Sequence, residues 1–267
     1  MKLFVRPTKF ALVVAGVIGG VSSLSAQSWK WEQLPDLSAN GVDVLATFNT
    51  GSAPATKKVM LADQFVCGLS GPIVGIRFWG SWLNNVSDPN VKFSVSIMGN
   101  NVNNTPGVVG WTSTLSPNNV TQTASIQQMF WDPSTPAVIP GANTTSFQYD
   151  FVSPLGTING VGGLAFQQVA GTTYWLTVQA STADGKLFGW KTSALLDGTA
   201  VPAMYGTNTT LGSTRTIAFK DMYYPAGVDQ VGLPIDLAFA LDTPEPTTAA
   251  VLVVGLAALL WRRKSVA

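Results

Sequence analysis

The chain has 267 residues, 46% hydrophobic and only 11% charged, with 15 basic residues against 14 acidic ones. It has no histidine, which excludes Ser-His-Asp and Cys-His catalysis and every histidine-based zinc or copper site. Cys67 is the single cysteine, so no intramolecular disulfide can form.

The N-terminus is built for export. Lys2, Arg6 and Lys9 form a basic start, residues 10–21 are apolar, and residues 22–26 are small and polar. This order predicts a secretory signal peptide with a short helical apolar region over residues 1–26. Signal peptidase is then expected to cut between Ala26 and Gln27. A cut after Ser25 is the alternative, because Leu24 is large for the third position back.

The mature domain is expected over residues 27–243, long enough for one β domain with its own core. It carries 9 basic and 13 acidic residues, a net charge of about −4, because both ends remove mainly basic residues. An acidic surface without a basic patch argues against nucleic acid as a partner. Residues 27–37 (QSWKWEQLPDL) read as an arm ahead of the first strand, with Trp29 and Trp31 to pin it. Glu32 is the only glutamate in this region, so a paired-carboxylate hydrolase would have to rest on aspartates.

Further along, Asp63 and Phe65 are expected to begin a strand, Gly71-Pro72 to turn, and residues 73–80 to form the next strand. Ile76 and Phe78 would then share one face, and Arg77 and Trp79 the other. Cys67, within Phe65-Val66-Cys67, reads as a buried structural thiol. Period-two alternation marks further strands. Val91, Phe93, Val95 and Ile97 alternate with polar neighbours, as do Phe147, Tyr149 and Phe151. Tyr174, Leu176, Val178 and Ala180 form a third set, and Ile235, Leu237, Phe239 and Leu241 a fourth. Residues 100–107, 117–123 and 207–213 are rich in turn formers and read as loops. Ten to twelve strands are expected, in an all-β, antiparallel β-sandwich of jelly-roll type.

Sugar binding by such a sandwich needs an exposed aromatic face beside polar groups. Trp79, Trp82, Trp175 and Trp190 are the candidates, with Trp79, Trp175 and Trp190 foremost and Asp63, Arg77 and Asn84 as polar partners. The competing reading is that these indoles fill the core, each N–H satisfied locally. Asp63, Asp150 and Asp236 are weak calcium candidates, since no D-x-D-x-D-G loop is present. No cofactor or metal is expected.

The tail, residues 244–267, reads PEPTTAAVLVVGLAALLWRRKSVA. Pro244 and Pro246 break regular structure. Residues 247–261 would form a helix of roughly 22 Å. That is shorter than the roughly 30 Å core of a bilayer, as for a buried core helix. Trp261 at the interface and the basic stop Arg262, Arg263 and Lys264 favour one transmembrane helix with a cytoplasmic end.

This order of Pro-Glu-Pro, apolar helix and basic end resembles the PEP-CTERM sorting signal of Gram-negative bacteria. The resemblance implies recognition at Pro244, Glu245 and Pro246 by exosortase, a membrane-embedded cysteine protease. Residues 61–83 (LADQFVCGLSGPIVGIRFWGSWL) are similar to a β domain that recurs in such proteins. Ala62, Asp63, Phe65 and Cys67 match its first part, and Gly71, Pro72, Ile73, Ile76, Trp79, Gly80, Ser81 and Trp82 its second. Later pieces also fit, among them Phe188-Gly189-Trp190-Lys191-Thr192-Ser193.

The resulting expectation is a non-enzymatic exported protein, first held in the inner membrane and then at the cell surface or in the extracellular matrix. Signal peptidase and exosortase are its processing partners, and the membrane is a transient one. By resemblance, such proteins are associated with exopolysaccharide and biofilm. The alternative is an exopolysaccharide-binding module.

Overall fold

A computed structural model describes residues 29–49, 57–117, 119–135, 138–152, 158–182, 185–194, 201–207 and 217–242. These residues are all-β, with sixteen strands and one 3-10 turn at Leu83–Asn85. The first sheet holds β1 (Trp29–Gln33), β2 (Val42–Leu45), β6 (Gly75–Trp82), β9 (Asn119–Trp131), β10 (Val138–Val152), β13 (Phe188–Lys191) and β16 (Phe239–Asp242). The second holds β3 (Thr47–Asn49), β4 (Lys57–Val66), β7 (Lys92–Asn100), β8 (Pro106–Leu115), β12 (Thr173–Ser181), β14 (Met204–Thr207) and β15 (Phe219–Asp221). A small pair joins β5 (Gly71–Pro72) to β11 (Gln167–Gln168).

The first sheet runs β1-β16-β6-β10-β9-β2-β13, and β13 also pairs with β6. One edge of β6 is therefore shared, by β16 along residues 75–78 and by β13 along residues 80–82. Strands β6, β10, β9, β2 and β13 thus close into a ring. Closure needs close approach of the backbones. A Cβ on Gly80 would lie 2.2 Å from the Phe188 ring, and one on Gly189 would lie 2.8 Å from Phe130. Glycine is required at both positions.

The core forms where the two sheets meet. Phe93 of the second sheet inserts among Phe78, Tyr149 and Phe188 of the first, with centroids 4.9, 4.8 and 5.1 Å away. Edge and tilted contacts of this kind add to the roughly 1.5–3 kcal/mol that burial of each phenyl ring contributes. In β7 Phe93, Val95 and Ile97 are fully buried as expected, but Ser96 and Met98 on the opposite face are buried too, so that face is not wet. In β6, Ile76 and Phe78 join the main core while Trp79 joins a separate cluster, as the alternation requires.

Several local expectations are corrected. Residues 29–33 are not an arm ahead of the first strand but strand β1 itself, paired antiparallel with β16. Residues 119–123 are not loop. They begin β9, whose polar, exposed side chains conceal a backbone ladder with β10. Residues 235–238 do not form a regular strand, although Ile235 and Leu237 are buried. Their amides turn instead to several partners, Ile235 N–H to Met222 O and Ala238 N–H to Lys191 O.

The sandwich is also not purely antiparallel. β2 and β3 are one extended run that passes from the first sheet to the second at Ala46, giving short parallel ladders with β9 and β12. Ala46 serves both sheets, donating to Phe188 O at 3.0 Å and accepting from Ala180 N–H at 2.7 Å. Among the described residues no helix is long and apolar enough to cross a membrane. The signal helix and the C-terminal membrane helix expected from the sequence lie outside the described residues.

Candidate functional site

The five-strand ring of the first sheet encloses a cluster of polar side chains, one from each strand: Asp43, Ser81, Gln128, Asn143 and Lys191. Asp43, Ser81, Asn143 and Lys191 are 0% exposed, and Gln128 is 3% exposed. Register explains the convergence. Lys191 lies opposite Asp43 across the β13–β2 ladder, and Asn143 lies opposite Gln128 across β10–β9. Asn143 also stands between two register shifts in β10, and a bulge of this kind re-aims a side chain.

The hydrogen bonds form one network. Lys191 Nζ donates to Asp43 Oδ1 at 2.9 Å and to Gln128 Oε1. Asn143 Nδ2 donates to the other carboxylate oxygen, Asp43 Oδ2, at 3.3 Å. Gln128 Nε2 donates to Asp36 O at 2.7 Å and Ser38 O at 2.6 Å, fixing which end of the amide faces Lys191. Ser81 Oγ donates to Thr145 O at 3.0 Å. Asn143 Oδ1 accepts from Asn84 N–H at 3.1 Å, inside the turn where Asn84 and Asn85 both have φ of 57°. Asparagine tolerates that left-handed conformation better than most residues.

Burial raises the Asp43 carboxyl above its ordinary value of 3.8, and Lys191, Ser81 and Asn143 offset part of that rise. Desolvation of both groups opposes their mutual attraction, so this buried pair depends on the hydrogen bonds that its neighbours supply. A buried amine and carboxylate are thus held in contact, flanked by two carboxamides.

The residues singled out in the sequence are not brought together. Trp79, Trp175 and Trp190 lie in three separate apolar clusters. Trp175 and Trp190 are 0% exposed, with indole N–H groups donated to Asn100 Oδ1 and Ala238 O. Sugar stacking needs an open ring face, and neither offers one; both rings fill packing positions instead. Trp82 is equally buried and donates to Tyr149 Oη at 2.8 Å. Asp63 Oδ2 accepts from Leu237 N–H at 2.6 Å, a structural tie between β4 and the irregular segment at residues 235–238.

Trp79 is on the outer face of β6, 7% exposed, and donates to Gln148 Oε1 at 3.2 Å. Gln148 Nε2 continues to Asp150 Oδ2, and Arg77 Nε donates to Asp150 Oδ1. The Arg77 guanidinium sits 4.4 Å from the Trp29 ring centre and 5.8 Å from that of Trp79. This second polar group clamps β1 to the sheet through a cation–π contact.

Cys67 is fully buried, and burial pushes its thiol up to about 11, with a Gln168 hydrogen bond opposing. Among the described residues no group of three or more His, Cys, Asp or Glu is placed to hold a metal ion. Ala26, Gln27, Pro244, Glu245, Pro246, Arg262, Arg263 and Lys264 lie outside the described residues. What the fold does fix is where they attach, because Trp29 pairs with Asp242 and the two ends of the domain leave side by side.

Sequence reasoning passed over Asp43, Gln128 and Asn143, and read Lys191 only as part of a matching motif. A signal was present. Asp43 in Val-Asp-Val-Leu and Lys191 in Phe-Gly-Trp-Lys are charges embedded in strands with every residue buried. Two opposite charges in two such strands imply each other.

The domain pattern described as Domain of unknown function (DUF7901) matches residues 29–242, and the pattern described as PEP-CTERM protein-sorting motif matches residues 242–264. No curated protein matches the chain. The chain belongs to the DUF7901 family and carries a PEP-CTERM sorting motif at its C-terminal end. That motif marks an exported protein, anchored in the membrane as a precursor and processed by exosortase.

Proposed function

We propose that the chain is a non-enzymatic structural protein of the Gram-negative cell surface or extracellular matrix, associated with exopolysaccharide and biofilm, whose β domain of jelly-roll type is the delivered product. The observation that carries this reading is the sorting motif, which begins where the last strand of the domain ends. Its support is chemical as well. The chain lacks histidine, and its aspartates at 63 and 150 are engaged in structural bonds. Signal peptidase removes residues 1–26, exosortase cuts at Pro244-Glu245-Pro246, and the domain of residues 27–243 leaves the membrane.

Replacing Pro244, Glu245 and Pro246 together by alanine tests the reading. The variant is expected to stay in the inner-membrane fraction with its tail attached. Release at the wild-type level would overturn it.

A second reading, polysaccharide binding, is favoured by one observation: Trp29, Arg77, Trp79, Gln148 and Asp150 share the outer face of the first sheet. A glycan array on the exported protein separates the two readings. Binding lost in Trp29→Ala with the fold retained supports the second, and a blank array leaves the first.

A further inference from the structure

We propose that Lys191 and Asn143 become joined by a side-chain amide bond that the folded chain makes for itself, with Asp43 as the proton carrier. The buried cluster supplies a carboxylate that both side chains share, a donor on the Asn143 carbonyl and exclusion from solvent. One carboxylate bridges the two reactants, Oδ1 to the Lys191 amine at 2.9 Å and Oδ2 to the Asn143 amide nitrogen at 3.3 Å. The Asn143 carbonyl oxygen accepts the Asn84 N–H at 3.1 Å, a donor placed where negative charge develops during attack. All three side chains are 0% exposed, which keeps water from competing.

The step balances without any co-reactant. Within the dry cluster, Lys191 passes one proton to Asp43, leaving a neutral amine and a neutral carboxylic acid. The Nζ lone pair attacks Asn143 Cγ, and the carbonyl electrons move onto Oδ1 against the Asn84 N–H. Asp43 gives its proton to Nδ2 through Oδ2 and takes one from Nζ through Oδ1. The Cγ–Nδ2 bond breaks, ammonia leaves, and Asp43 remains a neutral acid.

Gln128 is the neighbouring carboxamide and the competing acceptor, but its position suits a different role. Its Nε2 is held by two backbone carbonyls, Asp36 O and Ser38 O, which can supply no proton to a leaving group. Its Oε1 accepts from Nζ and orients the amine.

The bond would tie β10 to β13, two strands that no backbone ladder joins directly. It would close a long loop in a chain that has only one cysteine, doing for this exported domain what a disulfide does elsewhere.

The exported protein, purified from the cells that make it, denatured and digested with trypsin, gives the test. The expected product is a branched peptide joining the segments of Asn143 and Lys191, lighter than the two together by one ammonia and uncut after Lys191. Lys191→Arg keeps the charge opposite Asp43 but cannot form the amide, so it is expected to give two separate peptides. Asp43→Asn is expected to leave Lys191 and Asn143 unlinked. Separate peptides of full mass from folded wild-type protein would overturn the proposal. A branch at Gln128 would overturn the choice of Asn143. Should either variant fail to fold, the wild-type digest alone decides.

Discussion

Two pairs of a cation and an aspartate sit in the same sheet and do opposite things. Lys191 and Asp43 are sealed inside the strand ring, whereas Arg77 and Asp150 lie on the outer face with side-chain exposures of 21% and 11%. The outer pair is a clamp: Arg77 lies between Trp29 and Trp79 and holds the first strand of the domain. The inner pair is shut off from solvent, with side-chain exposures of 1% and 0%, so its energy depends on its protein neighbours. Burial and residue type act together: Arg77 stays charged and fastens, whereas a buried lysine amine such as Lys191 is the kind that can react.

The comparison breaks most easily at the inner pair. Asp43→Ala leaves a buried ammonium without its partner, and removing one member of such a pair costs about 3–5 kcal/mol. Denaturant unfolding of the variant is expected to show a loss of that size. A value near that of a surface pair would mean that water reaches the ring. Gly189→Ala attacks the same ring through packing, since the added carbon meets Phe130 at 2.8 Å and Asp43 Cβ at 3.0 Å. Overpacking of this kind costs about 1–3 kcal/mol, again read by denaturant unfolding.

The outer pair sharpens the contrast. Arg77→Ala is expected to cost about 1 kcal/mol, most of it from the cation–π contact, because solvent screens the ion pair. Proteolysis near β1 should rise while the midpoint of global unfolding moves little. A loss as large as that of Asp43→Ala would erase the distinction.

The pH response gives a finer test. Because burial raises the Asp43 carboxyl above 3.8, its contribution to stability is fully present below that value and is lost as pH rises through the folded value. Comparing stability–pH curves of wild type and Asp43→Asn isolates this slope; an unchanged curve would place Asp43 in water. The smallest effect concerns Cys67, with its thiol at about 11 and its side chain buried. An alkylating reagent at neutral pH is expected to label it only after denaturation. Rapid labelling of native protein would contradict that burial.

Much of the fold was legible because it depends on local alternation. Phe93, Val95 and Ile97 in β7, and Leu176, Val178 and Ala180 in β12, all face the main core, although Ser96, Trp175, Thr177 and Gln179 on the opposite faces are buried as well rather than wet. The faces of Ile76, Phe78 and Trp79 followed from the same rule. β9 was missed because its pairing is through the backbone and its side chains carry no apolar stripe. The crossing at Ala46 was missed because a strand that changes sheets still looks like one strand in sequence.

The candidate site was the least legible part. Asp43 and Lys191 are 148 residues apart, and only closure of the ring puts them together. The tryptophans were conspicuous by count, yet Trp175 and Trp190 serve packing, as their saturated indole N–H groups show. Conspicuous residues marked the core, and the chemistry sat on ordinary ones.

The delivery of this domain outside the membrane is the central claim, and the intact mass of the material released from cells tests it most directly. The released species is expected to begin at or next to Gln27 and to end at the Pro244-Glu245-Pro246 site. A released species that still carries Trp261 and the basic residues after it would contradict the account.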